Sequence, residues 1–368
     1  MIKAEKISLK KKIALNLYSV KKNIDAHVHE LRYLFWECTT RCNMNCLHCG
    51  SDCKSDSQVP DMPAKDFLNV LKSLKNRVNP SKMIVAITGG EPLVREDLAD
   101  TGFQIRSLGY PWGIVTNGYL MTARKFERLL KSGIASMAIS LDGLESEHNW
   151  FRGRSDSFKK AIFSIELASD ASKKGLYFDV VTCVNQRNIV ILPQIKELLV
   201  KFGVTRWRLV SIFPKGRACD NDELKLSGSQ LVHLMNFIME TRREGKIIAS
   251  YGCEGFLGEY EMEVRDIPFN CGAGIGIGSV LVDGSISACP SLRQDYIQGN
   301  IYKDDFWDVW NNRFQVMRNR EWAKTGECKN CKVWKHCKGN GLHLRDQKSG
   351  ELLFCNYRHL TGNGDIAQ

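Results

Sequence analysis

The sequence predicts an α/β fold in which six strand–helix units form a partial (β/α)6 TIM-like barrel, followed by a cysteine-rich extension. Three observations predict this fold. Short apolar runs bounded by turn residues alternate with segments of helical periodicity, six such runs can be counted, and the last third of the chain gathers cysteines. Six parallel strands are too few to close an eight-stranded barrel, so we expect the barrel to stay open.

The predicted strands and helices alternate along the chain, which implies parallel βα units. Because the loops that follow parallel strands share one face of a barrel, reactive groups are expected at the carboxyl ends of the strands. The strands are predicted at residues 33–37, 83–88, 112–116, 136–141, 177–184 and 206–211, and helices between them at residues 64–77, 123–131, 158–174 and 192–202.

Three cysteines follow the first predicted strand with the spacing CxxxCxxC: Cys42, Cys46 and Cys49. Such a loop can ligate three irons of a four-iron cluster and leave the fourth iron open, whereas a structural cluster normally takes four protein ligands. A zinc site is the alternative, because zinc also uses closely spaced cysteines. A zinc ribbon, however, gives no reason for a Gly-Gly-Glu-Pro run to follow the second strand.

The cysteine spacing and the six-unit open barrel resemble the radical S-adenosylmethionine (SAM) superfamily, with His48 where that family usually carries an aromatic residue. The resemblance implies a [4Fe–4S] cluster that binds SAM at its open iron. It also implies an enzyme that reductively cleaves SAM to a 5′-deoxyadenosyl radical, which abstracts hydrogen from a substrate. In such an enzyme the protein supplies orientation and excludes water. The residues do not identify a catalytic base.

Two groups of residues are candidates for the methionine part of SAM. By the resemblance, Gly89, Gly90 and Glu91 hold its amino group, since glycines let a backbone come close to a ligand and a carboxylate accepts from an ammonium group. Arg152 is similar to the arginine that meets the carboxylate of SAM, for which a guanidinium fork is suited. The alternative for Arg152 is a solvated charge at the start of a helix.

The nucleoside part of SAM has candidate residues at the ends of three strands. Ser140 and Asp142 resemble the ribose-binding positions of the family. Asn117 and Asn185 are expected to touch the nucleoside, although each asparagine could equally be a turn residue that caps its strand.

The cysteines of the last third of the chain resemble the SPASM extension of radical SAM peptide-modifying enzymes, which carries auxiliary four-iron clusters. By that resemblance four of them form one complete cluster; taken alone, these four could ligate zinc instead. The fold class is therefore an α/β partial barrel with a C-terminal cysteine-rich iron–sulfur extension. The cysteines that carry the resemblance are Cys271, Cys289, Cys328, Cys331, Cys337 and Cys355, of which the last four form the complete set.

The second auxiliary cluster departs from the family pattern. Where the family has a further cysteine, this chain has Gly341. Cys271 and Cys289 keep their spacing, and Cys253 is the candidate for a third ligand. A three-cysteine cluster with an open iron, a cluster completed by His343, and no second cluster are the three possibilities, and we expect the first. The chain thus has one or two auxiliary [4Fe–4S] clusters.

A chain of 368 residues is long enough for a sizeable core in a barrel plus a smaller domain. We expect an N-terminal extension at residues 1–30, the barrel at 31–215, a bridging region at 216–252 and the auxiliary-cluster domain at 253–368. The net charge of +11 is dispersed along the 368 residues, which makes nucleic acid an improbable partner and favours an acidic peptide.

Cysteine usage predicts a reducing compartment. Thiolates must stay free to take iron, and neither a signal peptide nor a transmembrane run is recognised, so a cytoplasmic protein without membrane contact is expected. Four cysteines outside the motifs are predicted to be ordinary buried thiols: Cys38, Cys53, Cys183 and Cys219.

The expected function is modification of a peptide or protein side chain by a radical SAM oxidoreductase, a maturase, with an electron donor such as flavodoxin or ferredoxin. Formylglycine formation is disfavoured, because Pro290 stands where sulfatase-maturing enzymes carry an aspartate. The rival within enzymes is modification of a small molecule or tetrapyrrole. The rival of another class is an iron–sulfur or zinc module that binds nucleic acid without turnover.

Overall fold

The computed structural model describes residues 3–219, 221–252, 255–292 and 295–362. Its centre is one ten-stranded sheet, in which seven strands that follow one another in the chain are parallel neighbours. The strands are β1 Tyr33–Glu37, β2 Ile84–Thr88, β3 Trp112–Thr116, β4 Ser136–Ser140, β5 Tyr177–Val184, β6 Arg206–Ser211, β7 Ile248–Tyr251, β8 Ile277–Val280, β9 Ser285–Ser287 and β10 Gly299–Asn300.

The sheet order is β10-β9-β8-β1-β2-β3-β4-β5-β6-β7. All six predicted strands are present, and their bounds differ from the prediction by at most one residue. The carboxyl ends of the parallel strands lie at one edge of the sheet; for example, Glu37 at the end of β1 pairs with Thr88 at the end of β2. The predicted α/β fold with an open parallel sheet is confirmed, and the loops that follow the strands share one edge.

Two short strands extend the parallel set beyond the six that were predicted. β7 adds to β6, and β8 of the extension adds parallel to β1, with β9 and β10 antiparallel outside it. These strands were missed because they have four residues each, and β8 contains Gly278, which weakens a strand signal. The bridging region and the extension are therefore joined to the barrel through one sheet, and the domain bounds stay a prediction.

Helices cover the outer face of the sheet. Trp36 of β1 is fully buried there and stacks on Phe67 of α2, with ring centroids 4.7 Å apart. The helices are α1 Leu9–Val28, α2 Ala64–Leu74, α3 Leu98–Ser107, α4 Ala123–Lys131, α5 Glu145–Arg152, α6 Ser157–Ser172, α7 Leu192–Lys201, α8 Gly228–Glu244, α9 Phe306–Asn312, α10 Gln315–Arg318, α11 Trp334–Cys337 and α12 Asn356–Leu360. In the described residues, no helix has the length and apolar character needed to span a membrane.

The inner face of the sheet lines a cavity of about 780 Å³, to which all seven consecutive parallel strands contribute. Most of its lining is apolar, as at Phe35 and Val115. Arg208 and Asp179 form a charged pair in it, with Nε and Nη2 of the arginine 2.9 and 2.6 Å from Oδ2 of the carboxylate. The lining comes from the first halves of the strands, as at Tyr33, Ile84 and Ile248, so the cavity lies toward the amino ends of the strands and away from the edge that carries the cysteine loop.

Candidate functional site

The cysteine loop begins directly after β1. Cys46 is nearly buried, and Cys42 and Cys49 are half-buried. Burial raises the pKa of Cys42 to about 12, with further rises from Glu91 and from the nearby Cys46 and Cys49. The three thiols are therefore neighbours.

Within the described residues, no three His, Cys, Asp or Glu side chains converge on a point where a single metal ion would be held. An iron–sulfur cluster makes a different demand, because each thiolate ligates a separate iron at a different corner. Three neighbouring thiols on a loop that opens toward the barrel edge fit such a cluster by their donor chemistry.

Cys49 is the most acidic thiol of the loop. Hydrogen bonds from the thiol and the backbone N–H of Cys53, together with the cation of Arg217, lower the pKa of Cys49 to about 5 although burial opposes them. A thiolate, the form that ligates iron, is thus favoured at this position near neutral pH.

Arg217 holds the cysteine loop from the segment that follows β6. Its Nε donates to the carbonyl of Cys46 at 2.8 Å, its backbone N–H donates to the carbonyl of Cys49 at 3.1 Å, and Nη1 donates to Asp52 at 2.9 Å. Sequence reasoning did not single out Arg217. Its place in the segment that follows β6, at the edge where the other motifs gather, was the signal that could have identified it.

Gly89 and Gly90 lie against the backbone that leads into the cysteine loop. The N–H of Gly90 donates to the carbonyl of Thr39 at 2.8 Å, and the N–H of Glu91 donates to that of Arg41 at 3.0 Å. A Cβ on Gly90 would lie 2.2 Å from the Arg41 carbonyl oxygen. The close approach that the glycines allow is therefore to the loop itself, and their contact with SAM stays a prediction.

Replacing Gly90 by alanine is expected to displace the cysteine loop, because the added methyl overlaps the Arg41 carbonyl. Overpacking of this kind costs on the order of 1–3 kcal/mol. Reconstituted Gly90→Ala should lose about four irons per chain, measured by iron analysis. Gly276→Ala is the control, since its nearest neighbour would be an ordinary 3.6 Å away. Full iron content in Gly90→Ala would contradict the interpretation.

Glu91 links the end of β2 to the end of β3 through hydrogen bonds to its carboxylate. Its carboxylate accepts from the hydroxyl of Thr116 at 2.6 Å, from the N–H of Asn117 at 2.7 Å and from the N–H of Leu93 at 3.0 Å. Burial raises the pKa of Glu91, and these hydrogen bonds act against the rise. The predicted contact of Glu91 with a SAM ammonium group would add to this set.

Asn117 reaches from the end of β3 to the cysteine loop. Its Nδ2 donates to Oδ1 of Asn43 at 3.0 Å. The Nδ2 of Asn43 is buried and has no hydrogen-bond partner among the described residues. An unpaired buried donor is costly, so a ligand acceptor beside Asn43 would satisfy it. Sequence analysis did not single out Asn43, although it stands within the cysteine motif.

Asp142 and Arg152 form a buried ion pair beside Cys46. Nε of Arg152 lies 2.6 Å from Oδ2 of Asp142, and its Nη1 donates to Sγ of Cys46 at 3.6 Å. The other carboxylate oxygen accepts from the N–H of Cys183 at 2.9 Å. The alternative of a solvated charge at Arg152 is wrong, because this side chain is buried. The predicted SAM contacts of both residues remain predictions.

His48 behaves as an aromatic ring. It is half-buried and stacks on Phe151, with ring centroids 4.2 Å apart and planes within 7°. Burial lowers the pKa of His48 well below its usual 6.5, and the cations of Arg152 and Arg217 lower it further. The neutral ring therefore supplies the flat surface that other members of the resembled family obtain from an aromatic residue.

The remaining predicted SAM residues lie at strand ends as expected. Asn185 shapes the turn after β5, where its Oδ1 accepts from the N–H groups of Arg187 and Asn188 at 2.9 and 3.0 Å. Ser140 ends β4 opposite Val181. The geometry of Asn185 is that of a turn residue, and its contact with the nucleoside is untested.

Four cysteines of the extension are neighbours. Burial raises the pKa of Cys355 to about 12, and the proximity of Cys337, Cys328 and Cys331 adds to the rise. Arg345, which is 1% exposed, donates from Nη2 to Sγ of Cys328 at 3.0 Å. A buried cation beside the thiols would stabilise the anionic charge of a cluster, and the sequence pattern did not identify it.

The residues predicted for the second auxiliary cluster are only partly described. Cys253 lies outside the described residues. Cys271 precedes β8, and Cys289 follows β9. Gly341 begins a short turn of helix at residues 342–344 that contacts the turn at residues 290–292, directly after Cys289. His343, the alternative fourth ligand, thus belongs to an element that packs beside the turn after Cys289.

Of the four cysteines outside the motifs, Cys38 and Cys53 are buried as predicted. The prediction was wrong for Cys219, which is exposed, and inexact for Cys183, which is half-buried. Cys219 lies in the polar segment after β6, where apolar burial signals are weak.

Two family models match the chain. Residues 36–197 match the Radical SAM superfamily, and residues 271–332 match the SPASM family, an iron–sulfur cluster-binding domain. The first match covers the cysteine loop and the barrel from the end of β1 into α7. The second covers four of the six extension cysteines.

Similar proteins include two kinds of curated enzyme. The chain is 27% identical over 333 residues to an AdoMet-dependent heme synthase of Methanosarcina barkeri, covering 84% of this chain and 90% of that one. It is also 27% identical over 317 residues to the mycofactocin maturase MftC of Mycobacterium tuberculosis, covering 83% and 77%. Among solved structures, Streptococcus suis SuiB bound to its precursor peptide SuiA superimposes with a TM-score of 0.68 at 19% identity, covering 89% and 76%.

Proposed function

Because the chain belongs to the radical SAM superfamily and carries a SPASM iron–sulfur domain, we propose that it abstracts hydrogen from a peptide or protein side chain. The family makes the chain an enzyme whose cofactors are SAM, a SAM-binding [4Fe–4S] cluster and auxiliary clusters. When bound, the first cluster and SAM supply a 5′-deoxyadenosyl radical by one-electron cleavage, with methionine as the other product.

The observation that carries the proposal is the way that the segments after β2, β3, β4 and β6 converge on the cysteine loop that follows β1. The SAM-binding cluster would be held by Cys42, Cys46 and Cys49. Arg217 fixes their loop by donating hydrogen bonds to the carbonyls of Cys46 and Cys49. The Arg152 guanidinium stabilises negative charge at the Cys46 sulfur by its contact with Sγ. The hydrogen bonds of Glu91 and Asn117 fix the neighbouring loops.

The SAM contacts follow from this arrangement as proposals. Gly89, Gly90 and Glu91 would hold the methionine amino group, and the buried amide donor of Asn43 supports a polar ligand next to them. The ribose and nucleoside would meet the ends of β4, β3 and β5. The proposed residues there are Ser140, Asp142, Asn117 and Asn185, with Arg152 at the methionine carboxylate.

A peptide substrate is supported by two observations. The net charge of +11 favours an acidic partner. The similar proteins include a maturase and a structure with bound precursor peptide. Electrons would come from a flavodoxin or ferredoxin.

A tetrapyrrole is the second candidate, because the heme synthase similarity covers 84% of this chain. The two can be separated by incubating the anaerobically reconstituted enzyme, dithionite and SAM with either a short peptide encoded beside its gene or iron-coproporphyrin III. We expect the peptide to raise 5′-deoxyadenosine formation and to change in mass. A mass change in the porphyrin alone would overturn the peptide proposal.

The auxiliary clusters give a separate prediction. If Cys271, Cys289 and Cys253 hold a three-cysteine cluster, the reconstituted chain should contain about 12 irons, at four per cluster. Cys271→Ala should then reduce the count by about four and leave the Mössbauer signal of the Cys328, Cys331, Cys337 and Cys355 cluster in place. About 8 irons in the parent chain, unchanged by Cys271→Ala, would show that the second auxiliary cluster does not form.

A further inference from the structure

Helix α1 has two apolar faces, and only one of them is covered. On the inner face, Leu15 is 2% exposed and packs in a cluster with Phe256, Phe269 and Val333 of the extension. This face is also fixed by Lys22, whose Nζ donates to the carbonyl of Phe269 at 2.9 Å. The helix is therefore anchored on the extension along one side.

The opposite face of α1 exposes an unbroken row of aliphatic side chains. At 100° per residue, the six positions fall within one 100°-wide sector of the helix. Six of the nineteen large apolar side chains that are exposed among the described residues lie in this row, which we call the apolar stripe. The stripe consists of Leu9, Ile13, Leu17, Val20, Ile24 and Val28, which are 74, 55, 69, 57, 56 and 59% exposed.

The spacing of the apolar stripe is symmetric about its centre. Its successive intervals are 4, 4, 3, 4 and 4 residues, the same in both directions along the helix. Two copies of α1 laid antiparallel about the midpoint between residues 18 and 19 would therefore match every stripe residue with another stripe residue. The matched pairs are Leu9 with Val28, Ile13 with Ile24, and Leu17 with Val20.

One pair of charges beside the apolar stripe favours an antiparallel arrangement. Lys10 lies at the start of α1, and Asp25 lies near its end on the same flank of the stripe at 100° per residue. Asp25 forms ion pairs with Lys21 and Arg32 of its own chain. In an antiparallel pair the start of each helix lies beside the end of the other, so Lys10 of one copy comes alongside Asp25 of the second.

From this symmetry we infer that the apolar stripe is the contact surface for a second copy of this chain, and that the enzyme is an antiparallel two-fold dimer through α1. An interface of this type is isologous, since each surface meets its own equivalent. The inference is independent of the proposed function. None of the stripe residues belongs to the loops at the carboxyl ends of the strands, where the SAM site is proposed.

Sedimentation velocity of the anaerobically reconstituted full chain tests the inference. The parent chain should sediment at about twice its 41.7 kDa mass. Ile13→Glu alone and Ile24→Lys alone should each raise the dimer dissociation constant about a hundredfold or more, because a charge is buried in the centre of an apolar contact. Val190→Glu, at a 71% exposed apolar position outside α1, is the matched control and should remain dimeric.

Mixing the two single variants should restore a dimer, because the carboxylate introduced in one chain then faces the ammonium group introduced in the other. Circular dichroism and iron content should match the parent chain, which separates lost association from lost folding. A monomeric parent chain, a dimer that both single variants retain, or single variants that stay monomeric on mixing would each overturn the inference. Binding of a monomeric chain to anionic phospholipid vesicles through the stripe would replace the second copy by a membrane surface.

Discussion

Replacing Cys46 by alanine is expected to abolish the formation of 5′-deoxyadenosine. Cys46 is the nearly buried central cysteine of the loop, and its sulfur accepts from Arg152 while its carbonyl accepts from Arg217. Removal of its thiol takes one of three ligands from the cluster and leaves the Arg152 cation without its sulfur partner. Iron analysis should show a loss of about four irons, with the auxiliary-cluster signal retained.

Cys53→Ser is the matched control for that experiment. Cys53 is a buried cysteine of the same loop that hydrogen-bonds to Cys49 and stands outside the three-cysteine motif. A serine hydroxyl preserves a donor to Cys49, so SAM cleavage should persist. Continued 5′-deoxyadenosine formation in Cys46→Ala, or its complete loss in Cys53→Ser with the fold intact, would contradict the assignment of ligands.

Replacing Arg152 by methionine is expected to lower the free energy of unfolding by about 3–5 kcal/mol, the usual effect of removing one partner of a buried ion pair. Asp142, which is 0% exposed, would be left as an uncompensated buried carboxylate. Chemical denaturation monitored by circular dichroism measures this change. The effect is separate from the predicted loss of SAM binding, since it appears without SAM.

The double variant Asp142→Asn with Arg152→Met is the control for charge. Asparagine keeps an oxygen that can accept from the N–H of Cys183 but carries no charge, so a large part of the lost stability should return. Equal stability of Arg152→Met and the parent chain would show that the ion pair is unimportant for the fold. A double variant as unstable as the single one would show that packing, and not charge, is responsible.

The barrel could be predicted because each strand has its own signal within a few consecutive residues of the sequence. The six strands are short runs rich in apolar residues, and a polar motif follows each of the first five. Parallel pairing then brings those ends to one edge, so the convergence of the cysteine loop with the Gly89–Glu91 segment and Asn117 could be anticipated. The two short strands β7 and β8 lacked that local signal.

The contacts within the site could not be predicted in the same way. Asp142 and Arg152 are ten residues apart, and nothing in their spacing shows that they bind each other. No motif in the sequence distinguishes Arg217 and Arg345 from the other arginines. Only the folded chain shows that Arg217 donates to the carbonyl of Cys46 and that Arg345 donates to the sulfur of Cys328. The partners of a buried charge are set by tertiary packing, which motif spacing does not encode.

The most direct test of the account is the fate of SAM on the reconstituted enzyme. Anaerobic protein with its iron restored, dithionite and SAM should yield 5′-deoxyadenosine and methionine in equal amounts by mass spectrometry, and neither should form without dithionite. The chain would then be acting on SAM by one-electron cleavage, as its loop of Cys42, Cys46 and Cys49 requires. Recovery of intact SAM from protein that holds its full complement of iron would contradict the account.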